Sequence, residues 1–179
     1  NGTSGVSAAA AVLQPLGVLP SEAWFTDALD RFFIKRATGG ATRQQADAID
    51  QEYAPFADAL GLAKSSLPLR PSPDALVSQA ESSHRDRLRQ ELTTANAPVV
   101  VTLGEEARRV LGAIADAVAG TPLQPLNAKL AADCDHYGMP GIVRVGGWTA
   151  SWYALKHPGQ RSPAWNAAHD QWSARVSGA

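Results

Sequence analysis

His157-Pro158-Gly159 carries the most suggestive chemistry of this chain: a lone imidazole just past a β-like segment, with proline and glycine fixing the turn that follows. Held in that way, an imidazole is a directed hydrogen-bonding group aimed into a cleft. Other reactive side chains lack partners at useful spacing. Cys134-Asp135-His136 has metal-capable groups in a row, but no second pair stands at finger spacing, so a loop cysteine is expected there and no metal site. No Gly-x-Ser-x-Gly elbow singles out a nucleophilic serine, and GVSAAAA at residues 5–11 lacks the Gly-Lys-Ser/Thr of a phosphate loop. His84 reads as a surface residue. His169 and Trp172, three apart on one helical face, read as packing. The residues therefore point to a site around His157 that uses neither metal nor cofactor.

The elements that must position His157 follow from the apolar patterns. Residues 142–145 and 152–155 read as strands flanking Gly146-Gly147, as a hairpin or as one bent strand. Residues 99–104 (VVVTLG) are the kind of apolar run that forms a central strand buried on both faces. A helix follows at once, with Glu105 and Glu106 in its first turn, where the macrodipole favours acids, and a core stripe of Ala107, Val110, Leu111, Ile114 and Val118. Residues 23–29 (AWFTDAL) have the aromatic and β-branched content of a strand, and Thr26 and Asp27 at its far end would face a ligand.

Helices complete the pattern. A short one is expected over residues 7–16, capped by Ser7 and shortened by Pro15, and residues 31–42 form an irregular connector. Residues 43–60 carry Ala46, Ile49, Tyr53, Phe56 and Leu60 at helical spacing, with Pro55 kinking or dividing the helix. After the extended LPLRPSP of residues 67–73, one long helix is expected from Ser72 or Pro73 through Leu92, with Arg85, Arg87 and Arg89 as solvated charge. Residues 163–175 read as a closing helix with Trp165, Ala168, His169 and Trp172 on one side. The sum is an α/β domain, a three-layer α/β/α arrangement around a short, mostly parallel sheet whose functional edge lies at the carboxyl ends of its strands.

With 179 residues and 45% of them hydrophobic, the chain fits a single domain spanning residues 1–179 that buries a full core. No apolar run approaches the ~20 residues of a membrane span, so a soluble monomer with no membrane partner is expected. A single cysteine excludes an intramolecular disulfide and suits a reducing cytoplasm. The formal net charge of −1 is no nucleic-acid signature, but residues 141–179 hold Arg144, Lys156, Arg161 and Arg175 against Asp170, a local balance of +3 that leaves −4 on the remainder. Such a positive edge suits a phosphate-facing surface, and a chance fluctuation in a small count gives it equally well.

The order VVVTLGEEA, the Tyr137-Gly138 turn, a strand, His157-Pro158-Gly159 and a terminal helix with His169 and Trp172 resembles the uracil-DNA glycosylase superfamily, especially its smaller divergent members. The resemblance is clearest from Pro98 to Trp172, and AWFTDAL would supply an earlier strand of the same sheet. It implies a fold of that type and excision of uracil or a related damaged or deaminated base from DNA. His157 would be the histidine that donates to a base carbonyl oxygen, and Pro158, Gly159, Gln160 and Arg161 the loop that meets the DNA. Asp27, with Thr26 and Phe25 beside it and Gly104 at the neighbouring strand end, would line the base pocket. Tyr153, Trp152 or Phe25 could stack on the base, or serve as ordinary core aromatics.

Two departures qualify that implication. Asp27 falls where the family has an asparagine; an ionised carboxylate only accepts, whereas an amide reads both edges of uracil. The family's glycine-rich first motif, which positions the attacking water, is not among these residues, and because the chain opens at Asn1 it is expected upstream of that residue, unless the protein lacks that half of the site. A catalytically silent DNA- or protein-binding module and a small-nucleoside N-glycoside hydrolase are the alternative readings.

Overall fold

A computed structural model describes residues 3–31, 33, 40–61, 68–119, 131–132, 137–160 and 162–178. The chain opens with helix α1 (Thr3–Ala8), which continues into a wider π turn over Ala9–Leu13, marked by the Gln14 amide donating to the Ala9 carbonyl at 3.1 Å. Ser7 thus lies inside the helix and does not cap it. Residues 23–27 are extended but join no sheet, contrary to the strand expected there. Their place is set by helix α4 (Arg85–Ala95), whose Arg87 donates to the carbonyls of Asp27 and Ala28 at 3.0 and 3.3 Å.

Helix α2 (Gly40–Ala59) starts within the expected connector and runs through Pro55 without dividing. Its Phe56 and the following Leu60 are exposed, and Ile49 is half-buried. The long helix expected up to Leu92 is two helices, α3 (Pro73–Ser83) and α4, separated at His84 with φ −125° and ψ 3°. Ser72 caps α3 by accepting from the Ala75 amide at 3.3 Å, and Pro73 occupies the first turn where its missing N–H costs nothing. His84 is no surface residue: its side chain is mostly buried at the junction, with Nε2 3.7 Å from Asp30.

Strand β1 (Val99–Leu103), helix α5 (Glu105–Ile114), the short β2 (Ala117–Ala119), the hairpin of β3 (Gly141–Val145) and β4 (Trp148–Leu155), and helix α6 (Pro163–Ser177) complete the fold. The sheet order is β1-β4-β3-β2. β1 pairs with β4 in parallel, while β4–β3 and β3–β2 are antiparallel, so the sheet is mixed and not mostly parallel. Among the described strands β1 lies at the end of that order and is not central. Its residues other than Thr102 remain half-buried, which is why an all-apolar run is tolerated there without being enclosed on both faces.

The hairpin shows the alternation that one covered face demands. Val143 and Val145 are buried while Ile142 and Arg144 are exposed, and in β4 Trp148, Ala150, Trp152 and Ala154 line the same covered face. There Trp152 donates its indole N–H to Thr102 Oγ1 at 3.0 Å, which satisfies two polar groups inside the core. Helix α4 packs near β3. On the other face α6 packs Trp172 edge-on against Tyr153, at 6.2 Å between ring centroids. α6 thus covers that face at Tyr153, while Ile142, Arg144, Thr149 and Ser151 on it stay exposed, and the α/β class holds. A second apolar cluster of Leu29, Leu76, Ala80, Leu88, Val110 and Ile114 binds α3, α4 and α5 together. Among the described residues no helix is long and apolar enough to cross a membrane.

Candidate active site

β1 and β4 end side by side, because the parallel register closes at Leu103↔Leu155 and the Gly104 amide then donates to the Leu155 carbonyl at 2.8 Å. The chain turns away from β1 at Gly104, whose φ of +95° lies where side chains are rarely tolerated. A Cβ there would stand 3.4 Å from the His157 Cβ, so the turn after one strand lies against the histidine delivered by the other. Carboxyl ends of adjacent parallel strands are where α/β proteins bind ligands.

The segment after β4 is a tight turn. The Gln160 amide donates to the His157 carbonyl at 2.8 Å, with Pro158 and Gly159 at its two central positions. The Gly159 amide donates to His157 Nδ1 at 3.0 Å. That bond occupies the Nδ1 lone pair, so the neutral ring carries its proton on Nε2. Glycine permits the approach: a Cβ on residue 159 would lie 3.1 Å from Nδ1. Lys156 Nζ closes the loop from beneath, donating to the Gln160 carbonyl at 3.1 Å and to Asn166 Oδ1 at 2.5 Å. His157 is exposed. The arrangement is a solvent-facing imidazole held in one tautomer.

Behind this loop lies a polar cluster that sequence reasoning took for packing. Tyr137 Oη accepts from the Lys156 amide at 2.8 Å and stands 2.8 Å from His169 Nδ1, while His169 Nε2 stands 2.8 Å from the Ala11 carbonyl. A carbonyl only accepts, so Nε2 carries the imidazole proton, Nδ1 accepts, and the phenol donates to it. Burial pushes the Tyr137 phenol up to about 12, partly offset by the Lys156 amide, which keeps it a donor. Burial also lowers His169 below its ordinary 6.5, against the opposing pull of the Ala11 carbonyl. A depressed histidine holds its proton less tightly in the folded than in the unfolded chain. The stability it contributes is complete above the unfolded value and is lost as pH falls below 6.5 toward the lower folded value. Denaturant midpoints across that interval should fall with acidification, and His169→Gln should flatten the dependence.

A second feature missed in the sequence is Arg108, buried within α5 and forked onto Glu105, with Nε to Oε2 at 3.1 Å and Nη2 to Oε1 at 2.7 Å. Arg70 pairs with Glu106 at 3.1 Å. Both acids of the first turn of α5, beside Gly104, thus meet guanidinium groups as well as the helix dipole. The i, i+3 spacing of Glu105 and Arg108 was the available signal.

Of the other expected site residues, Thr26 and Asp27 meet α4. Thr26 donates to Glu91 Oε2 at 2.5 Å and accepts from Arg87 at 3.4 Å, and the Asp27 carbonyl is held by the same arginine. Thr26 and Asp27 are therefore fastened to α4. The Thr26 and Arg87 bonds hold the Glu91 carboxyl below its usual range. Phe25 and its neighbour Trp24 are exposed, whereas Trp152 is buried in the core and Tyr153 packs on Trp172. Only Phe25 of the three stacking candidates offers a largely open ring. Arg161 and the Cys134-Asp135-His136 run lie outside the described residues, among which no group of three His, Cys, Asp or Glu side chains could hold a metal. No protein-family model matches the chain, and no curated protein matches it.

Proposed function

We propose that the protein is a DNA base-excision glycosylase that hydrolyses the N-glycosidic bond of uracil or a related deaminated base, with His157 as the donor to the departing base. The observation that supports this reading is the His157 ring itself, whose Nδ1 is engaged by the Gly159 amide so that Nε2 carries the proton. As the bond to the sugar lengthens, its electron pair moves onto the base and negative charge gathers on a carbonyl oxygen. A donor held in place beforehand stabilises such a charge with little reorganisation. Water adds to the sugar carbon, and its proton is passed on to solvent or to the freed base. His157 is not assigned to that step.

The base must leave the stack before it can meet His157, which costs a few kcal/mol that pocket contacts repay. Pro158, Gly159, Gln160 and Arg161 are the loop proposed to face the backbone. Arg161→Glu should weaken DNA binding and make the dependence of log affinity on log salt shallower by about 0.7 to 0.9 for each phosphate that is no longer neutralised. Titrations at several salt concentrations read this directly, and an unchanged slope places the phosphate-binding surface elsewhere.

Incubation with single-stranded and duplex oligonucleotides containing uracil, followed by alkaline cleavage at abasic sites, tests the activity. Abasic product without added metal supports the reading. DNA binding with no product from any deaminated base favours a silent binding module, and release of base from free nucleosides alone favours a small-nucleoside hydrolase.

A further inference from the structure

We propose that Tyr137 and His169 are positioning residues for His157, holding the end of β4 through the relay from the Lys156 amide to the Tyr137 hydroxyl to His169 and on to the Ala11 carbonyl. The effect on excision rests on the glycosylase reading; the effect on the His157 ring does not.

The register of the sheet shows why the relay is needed. β3 begins its pairing with β4 at Gly141↔Trp152, so the last residues of β4 run on with no β3 partner on that side. Extending the same register brings residue 137 opposite residue 156, at the amide just before His157. The backbone of Tyr137 is turned elsewhere, its carbonyl accepting from Arg175 Nη2 at 2.5 Å. Its phenol takes the place of the missing ladder and accepts from the Lys156 amide at 2.8 Å. The hydroxyl is itself fixed, because its proton points to His169 Nδ1. His169 is fixed in turn by the Ala11 carbonyl, which belongs to the π turn after α1.

The relay thus joins three separate parts of the chain to the residue next to His157. Lys156 adds a second hold through Nζ on Gln160 and Asn166, so the turn is fixed just before its first residue and at its last. Both holds act on the backbone that carries the imidazole. Tyr137 and His169 are themselves buried. The Tyr137 ring also packs edge-on to Trp165 and His169, at 6.1 and 5.9 Å between centroids, packing that does not need the hydroxyl.

Tyr137→Phe removes the hydroxyl and keeps that ring packing. Single-turnover excision of uracil should slow by about tenfold at unchanged DNA affinity, because a small misplacement of a reacting group costs rate and leaves binding untouched. In a His157→Ala background the same substitution should cause no further loss. Nitrogen-15 spectra of the His157 ring, taken on the free protein, should change from one tautomer, with the proton on Nε2, to an averaged pair. His169→Asn, which presents an oxygen in place of Nδ1, should retain most of the rate and the single tautomer. His169→Leu should match Tyr137→Phe.

An unchanged rate together with an unchanged ring spectrum in Tyr137→Phe overturns the proposal, as does an equal loss in the His157→Ala background. If Tyr137→Phe fails to fold, the contrast between His169→Asn and His169→Leu decides the matter, and equal behaviour of those two overturns the relay. A wild-type protein that excises no base overturns the glycosylase reading alone. The tautomer spectra of the same variants then judge the positioning of His157.

Discussion

Replacing His157 with alanine is expected to slow single-turnover uracil excision by about a hundredfold or more while DNA affinity stays within about twofold. The size follows from the role. Removing one preorganised donor to a developing oxyanion typically costs ~3 to 4 kcal/mol of barrier, and each ~1.4 kcal/mol is a factor of ten. Binding is spared because the donor meets full charge only as the glycosidic bond breaks, whereas DNA affinity comes mainly from phosphate contacts. The tautomer strengthens the expectation. With Nδ1 occupied by the Gly159 amide, the ring already carries its proton on Nε2 and needs no change of tautomer to donate to the base. An alanine variant that excises at the wild-type rate removes His157 from the chemistry, and a rate that depends on added metal replaces the account with a metal-assisted one.

The largest expected effect on stability comes from Gly138→Ala. Residue 138 has φ +65°, and a Cβ there would lie 2.3 Å from Trp172 Cδ1, 2.8 Å from Cγ and 2.9 Å from Nε1. Trp172 cannot yield cheaply, since it is fully buried and its ring packs edge-on to Tyr153 and at a tilt to His169. Left-handed backbone strain of roughly 1 kcal/mol adds to overpacking of about 1 to 3 kcal/mol, for a total near ~3 kcal/mol. For a chain of this length that corresponds to a fall in Tm of about 6 to 12 °C. Gly17→Ala is the matched comparison, because Gly17 has φ +66° with nothing near its would-be Cβ. It should show only the strain. Equal destabilisation of the two variants, read by denaturant unfolding, would show that the Trp172 clash is not limiting.

The parts of the fold that were legible in the sequence are those whose pattern has few physical solutions. The strand-like segments at residues 142–145 and 152–155 flank Gly146-Gly147, and of the hairpin and the single bent strand expected there the hairpin forms; the acids at Glu105 and Glu106 mark a helix start, and Pro163 with Ala168, His169 and Trp172 marks the last helix. Elsewhere the sequence misled. The apolar run of β1 fits an enclosed strand, yet half-burial satisfies it as well. The aromatic and β-branched residues 23–29 suit a strand only if a ladder partner exists, and here Arg87 takes their carbonyls instead. The break at His84 carries no glycine or proline, so the spacing of Leu76, Ala80, Leu88 and Leu92 passes across it unmarked.

The candidate site divides in the same way. His157, its turn and its neighbour Gly104 were legible because adjacent residues define a turn and an apolar run defines a strand end. Asp27 was set in the pocket only through the strand that does not form. The Tyr137–His169 relay was not legible, since the partners lie 32 residues apart and are joined by tertiary packing that no periodicity records. Arg108 was hidden by its type, because an arginine in a helix is ordinarily solvated, and its fork with Glu105 helps to satisfy it where it is buried.

The central claim is that His157 stabilises negative charge on the departing base, and a change of leaving group tests it most directly. Fluorine at carbon 5 of uracil makes the base anion less basic, so less of the charge stabilisation has to come from the protein. The measurement is the ratio of single-turnover excision rates, wild type over His157→Ala, for uracil and for 5-fluorouracil in the same oligonucleotide. The account predicts a clearly smaller ratio for 5-fluorouracil. The same ratio for both bases would contradict it, since a residue that only binds or orients the nucleotide would be missed equally by either leaving group.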